Sequence, residues 1–122
     1  MDILLVDDSK TMRMLVQRAL RQAGFRNLII AEAESGKDAL EKLDGGIPRL
    51  ILSDWNMPVM NGIEFLKHLR AKQNSTPFGF ITSEASEDIR TLATTSGANF
   101  LLTKPFTPES MQDVLTPYLG AG

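Results

Sequence analysis

Ile3-Leu4-Leu5-Val6-Asp7-Asp8 is a run of apolar residues closed by two adjacent acids. A strand with one wet face alternates apolar and polar side chains, so an unbroken apolar run suits a strand covered on both faces. The pattern recurs at Leu28 to Ala31, Leu50 to Leu52, Phe78 to Ile81 and Phe100 to Leu102. Between these runs the spacing turns helical. Met12, Leu15, Val16, Ala19, Leu20 and Ala23 form one stripe, with Lys10, Arg13, Gln17 and Arg21 on the other side and Gly24 placed as a helix C′ glycine.

A second helix carries Ala39, Leu40 and Leu43 and stops before Gly45-Gly46; a third carries Ile63, Leu66 and Leu69. The fourth holds Ile89, Leu92 and Ala93 among Thr91, Thr94 and Thr95, poor helix formers that predict the least stable helix of the five. The fifth starts with Thr107 as N-cap and Pro108 at N1 and has Met111, Val114 and Leu115 on its apolar face. Pro117 is expected to end it or distort its last turn. Five strands alternating with five helices predict an α/β fold: a flavodoxin-like (βα)5 three-layer sandwich whose parallel sheet has the order 2-1-3-4-5.

Composition narrows the function. The 122 residues, 43% hydrophobic and 23% charged, suit a single soluble domain spanning 1–122. Without cysteine, disulfides, thiolate catalysis and Cys-ligated zinc are excluded, which accords with a cytoplasmic protein. A net charge of −2 offers no basic field for nucleic acid, and no segment reads as a signal peptide or membrane span. The sequence ends at Gly120-Ala121-Gly122, so effector action is expected from this domain or from a separate partner.

Four of the five runs end in a polar residue of a particular kind: Asp7-Asp8 after the first, Asp54 after the third, Thr82 after the fourth and Lys104 after the fifth. In a doubly wound sheet, ligands bind beyond the carboxyl ends of the strands at the switch point, here between strands one and three. The three aspartates therefore converge there. Two carboxylates ~4 Å apart repel by roughly 4 kcal/mol at an effective dielectric near 20. One ammonium does not balance three carboxylates, so a divalent cation is implied, and oxygen-only donors favour Mg²⁺. A carboxylate can act as nucleophile toward a phosphoryl group, with Mg²⁺, Lys104 and the Thr82 hydroxyl neutralising charge. Singly, each residue has a plainer use: an Asp-Asp pair caps helices, and Asp or Lys-Pro forms turns. Their joint placement at successive strand ends is what coincidence does not explain.

Leu5-Val6-Asp7-Asp8-Ser9, Asp54-Trp55-Asn56-Met57-Pro58 with Asn61-Gly62, Ile81-Thr82-Ser83-Glu84-Ala85, and Thr103-Lys104-Pro105-Phe106 resemble the motifs of response-regulator receiver domains, closest to stand-alone chemotaxis regulators of the CheY type. The likeness covers essentially the whole chain. It implies that Asp54 accepts a phosphoryl group from a sensor histidine kinase or a phosphotransfer protein. By the same resemblance Asp8, Asp54 and the backbone carbonyl of Asn56 ligate Mg²⁺, and Asp7 helps through a water or as a second carboxylate. Lys104 pairs with Asp54, Thr82 reports phosphorylation to the fourth helix, and Asn56 and Glu84 tune phosphoryl loss. A downstream protein would dock on the face of helix 4, strand 5 and helix 5, and Pro105 would follow a cis bond.

One position departs from the family pattern. Many receivers carry an aromatic three residues before the strand-five lysine; here that position is Leu101, and Phe100, one residue earlier, points to the opposite face. Output through Leu101 packing or through the fourth helix alone is then the expectation. His68 reads as a surface residue, Trp55 as a rim residue and fluorescence probe, and Met57 and Met60 as loop packing or a partner surface.

Three alternatives remain. A haloacid-dehalogenase-like phosphotransferase wants a second acid where Asn56 stands. A flavin module would meet repulsion between Asp7-Asp8 and a phosphate. A pseudo-receiver scaffold would have no need of the full acidic set.

Overall fold

A computed structural model describes residues 1–120. In chain order it contains β1 (Ile3–Val6), α1 (Lys10–Gln22), β2 (Ile30–Ala33), α2 (Gly36–Leu43), β3 (Leu50–Asp54), α3 (Gly62–Ala71), β4 (Phe78–Thr82), α4 (Glu87–Ser96), β5 (Phe100–Thr103) and α5 (Pro108–Leu119). All pairings are parallel, in the order β2-β1-β3-β4-β5.

The unbroken apolar runs have the expected cause. Ile3 and Leu5 point to one face, with Val16 and Leu20 of α1 and Met111 and Leu115 of α5. Leu4 and Val6 point to the other, with Ala39 of α2, Phe65 and Leu66 of α3 and Ala93 of α4. Every β1 side chain is buried, each stabilising by about 1.5–3 kcal/mol relative to exposure.

Capping fixes where the helices begin. Ser9, Ser35, Asn61, Ser86 and Thr107 are N-caps whose side chains accept backbone N–H groups of the first turn. At the end of α1, Gly24 has φ 97° and bonds Arg21, while Phe25 donates to the Leu20 carbonyl. That is a Schellman closure, with buried Phe25 and Leu20 as its apolar contact.

Several expectations need correction. β2 begins at Ile30, two residues later than the apolar run suggested, because an edge strand tolerates an exposed Glu32 and leaves Ile29 outside, 69% exposed. Leu15 is exposed and not in the core stripe. It flanks Val16 and Ala19 and lines a groove of about 620 Å³ with Met12, Pro105 and Phe106. Arg13 is not on the solvent face: its side chain is only 14% exposed. Leu92 is exposed, leaving Ala93 as the buried residue of α4. Met57 is buried in the core, which removes it as a partner surface. α5 continues past Pro117 to Leu119, at the cost of the one bond that a residue-117 N–H would give to the Asp113 carbonyl.

Val59 has φ 68° and is fully exposed. A β-branched residue is strained there, at roughly 1–2 kcal/mol. Val59→Asn is expected to raise stability by about 1 kcal/mol, read as a higher urea midpoint at unchanged m-value. An unchanged or lower midpoint would refute the strain.

Candidate functional site

β1 and β3 lie side by side, but the helices that follow them leave to opposite faces of the sheet. Their carboxyl ends therefore border a crevice that no crossover fills. Asp7 leaves β1 with its N–H on the Ala33 carbonyl at 3.0 Å. Its carboxylate Oδ1 accepts the Ser9 N–H at 2.8 Å. Ser9 in turn caps α1, its hydroxyl accepting from Met12 at 3.1 Å. Asp7 is thus pinned by the turn that starts the helix and is only 4% exposed, whereas Asp8 is exposed.

Asp54 closes β3. One carboxylate oxygen from each of Asp7, Asp8 and Asp54 lies within 4.8 Å of the other two. The Asp54 Oδ1 accepts the Trp55 N–H at 2.8 Å and faces Lys104 Nζ at 3.4 Å. Lys104 arrives from two strands away, where its N–H donates to the Thr82 carbonyl at 2.7 Å; the Lys104–Pro105 peptide is cis, as expected.

Burial dominates the electrostatics of Asp7. It pushes the carboxyl up from 3.8 to about 6, the Ser9 amide opposes the rise, and the neighbouring Asp54 carboxylate adds to it. Three converging carboxylates with a single ammonium form an oxygen-only donor set of the kind that suits a hard divalent cation.

Not every expected residue joins the cluster. Thr82 stands at the end of β4, 2% exposed, and its hydroxyl accepts the Glu84 N–H at 3.2 Å instead of meeting Asp54. Asn56 and Glu84 are exposed on the loops after β3 and β4. Leu101 packs on the α3–α4 face, in register with Phe80. Phe100 points the other way, its ring filling the space a side chain on Gly79 would need and resting on Tyr118 at 5.3 Å. It cannot replace an aromatic at position 101. His68 and Trp55 are half-buried.

Phe80 went unread in the sequence as a neighbour of the site. There only one more strand residue, it has its ring centroid 4.7 Å from that of Trp55 and packs against the start of the loop after β3. Gly62 lets that loop close, because a Cβ there would strike the Asp54 carbonyl and come within 2.6 Å of Phe80. Helical spacing places Arg13 on the solvent side of α1, yet its side chain is only 14% exposed. A cation in the first turn of a helix opposes the helix dipole, and that anomaly was the available signal.

Residues 3–116 match the family described as response regulator receiver domain. The chain belongs to the response-regulator receiver family. It is 37% identical to the chemotaxis protein CheY1 of Helicobacter pylori over 123 residues, covering 98% of each chain. With a chemotaxis protein CheY homolog of Campylobacter jejuni the identity is 36% over 125 residues, covering 100% of this chain and 95% of the relative. The solved structure of the chemotaxis protein CheY4 of Vibrio cholerae superposes with a TM-score of 0.83 at 36% identity, covering 96% and 97% of the two chains. This receiver is accordingly a response regulator of two-component signal transduction. None of its helices among the described residues is long and apolar enough to cross a membrane.

Proposed function

We propose that this receiver is a Mg²⁺-dependent phosphorylation switch with Asp54 as phosphoacceptor. The observation that carries the proposal is the convergence of the Asp7, Asp8 and Asp54 carboxylates with Lys104 on Asp54. An Asp54 carboxylate oxygen attacks the phosphorus of a phosphohistidine on a sensor histidine kinase or phosphotransfer protein. An O–P bond forms, the P–N bond breaks, and the imidazole leaves with the electron pair and takes up a proton. The product is an acyl phosphate, which water later hydrolyses, so the domain assists its own phosphorylation and dephosphorylation without turning over a separate substrate.

Asp8, Asp54 and the Asn56 carbonyl would hold Mg²⁺, with Asp7 acting through a water; the ion supplies charge neutralisation between carboxylates and phosphoryl oxygens. Lys104 neutralises a further oxygen. The Thr82 hydroxyl, which holds the Glu84 N–H at 3.2 Å, turns to the phosphoryl group and thereby releases the loop before α4. Leu101 follows on the α3–α4 face in place of an aromatic, and Asn56 and Glu84 at the rim set how fast the phosphoryl group is lost. The switched surface is the face of α4, β5 and α5, where a downstream protein docks, in a cytoplasmic chemotaxis pathway like those named for its relatives. On this reading the switch involves no nucleic acid and no insertion into a membrane.

Incubation with acetyl phosphate and Mg²⁺ is expected to add one phosphoryl group to the intact mass, and hydroxylamine should remove it. No gain at saturating phosphodonor would refute the switch. Mg²⁺ alone should raise the melting temperature, by about 2.7 kcal/mol of stability at one hundred times its Kd. EDTA should reverse the gain and Asp8→Asn abolish it. Equal melting with and without Mg²⁺ would show that the carboxylates hold no ion.

A further inference from the structure

Arg13 sits in the first turn of α1, where the helix dipole disfavours a cation and where no acidic residue lies on the helix to offset it. Its side chain nevertheless turns inward. Nη1 donates to the backbone carbonyl of Asp7 at 2.6 Å, and Nε donates to the Glu32 Oε1 of β2 at 2.8 Å. The accepting carbonyl belongs to the peptide that joins Asp7 to Asp8, two of the three converging acids. Three elements (the β1 end, α1 and β2) are thereby joined at one guanidinium.

We infer that Arg13 is a positioning residue for the acidic corner: it clamps the Asp7–Asp8 peptide so that both carboxylates stay turned toward Asp54. This rests on the cation-binding reading of that corner. Two effects of the guanidinium act in opposite directions on a bound divalent ion. Its positive charge repels the ion, and its clamp preorganises the ligands. Glu32, at 2.8 Å, largely cancels the charge, so the clamp prevails. The fork is needed because two acceptors on different strands are engaged by two different nitrogens, which a single ammonium cannot reproduce.

The test is Mg²⁺ titration of the full chain followed by the fluorescence of Trp55, the only tryptophan, whose backbone N–H donates to the Asp54 carboxylate. Arg13→Gln is expected to weaken Mg²⁺ binding about tenfold, the scale for losing an outer-sphere orienting partner. Arg13→Lys, which keeps the charge and the stem, is expected to weaken it too, and it serves as the working variant if Gln fails to fold. Tighter binding by Arg13→Gln would show that charge alone matters and overturn the inference. Unchanged Kd in both variants, with only a lower metal-free melting temperature, would reduce Arg13 to a structural residue and overturn it as well. A wild-type chain that gives no saturable response would overturn the cation reading itself, and the inference with it. A response lost only in the variants upholds both.

Discussion

Asp54→Ala is expected to abolish phosphorylation by acetyl phosphate, leaving no mass gain under conditions that modify the wild-type chain fully. Neither neighbouring acid can replace it. Asp7 is 4% exposed with its Oδ1 tied to the Ser9 N–H, and Lys104 pairs with Asp54 alone among the three. Nucleophilic attack needs a free carboxylate oxygen and an ammonium beside the developing charge, and of the three acids only Asp54 has that ammonium beside it. Loss of fold is a poor alternative explanation, because removing one of three mutually repelling carboxylates should stabilise the Mg²⁺-free protein. Asp54→Ala should therefore melt at or above the wild-type temperature in EDTA while remaining unmodified. A phosphoryl group that persists in this variant would place the acceptor elsewhere.

The second large effect concerns pH. Asp7 is raised from 3.8 to about 6, chiefly by burial. Between those values the folded state holds a proton that the unfolded state has lost, so stability falls as pH rises. Below about pH 4 both states are protonated and the penalty is absent; above about pH 6 it is complete. A shift of this size corresponds to on the order of 3 kcal/mol. Asp7→Asn removes the charge and can keep an oxygen acceptor for the Ser9 N–H. In EDTA at pH 7.5 the variant is expected to be more stable than wild type by up to that amount, roughly 10 °C in melting temperature. The gap should close toward pH 4. Urea melts across this range decide it: parallel pH profiles for the two proteins would mean that Asp7 carries no such penalty. Added Mg²⁺ should narrow the gap at neutral pH, because it offsets the same negative charge.

Much of the site was legible because its residues terminate strands. The sheet brings strand ends together whatever the side chains between them do, so Asp7, Asp8, Asp54 and Lys104 could be placed from order alone, and their convergence within 4.8 Å and 3.4 Å follows. Thr82 was equally placeable, but its present bond to the Glu84 N–H was not, since a hydroxyl chooses its partner from loop geometry. Arg13 was misread for a related reason. Helical periodicity assigns a residue to a face, while a long side chain near a helix end can leave that face and reach across the adjoining loop. Leu15 failed in the opposite direction: it has the right period, but α1 packs through a narrower stripe than its apolar residues offer.

The first apolar run and its two acids, Ile3 to Asp8, show where the division falls. By itself the sequence determined that this segment is a doubly covered strand, that it and four other runs make a parallel sheet, and that acids lie at the carboxyl edge of that sheet. Those properties depend on period and hydrophobicity, which are local. Only the tertiary structure decided which oxygens face one another, that Asp7 is buried enough to hold its proton to about pH 6, and that Arg13 and Glu32 grip the peptide between the acids. Those depend on distances between segments far apart in the chain, and on how much water each group loses when they pack.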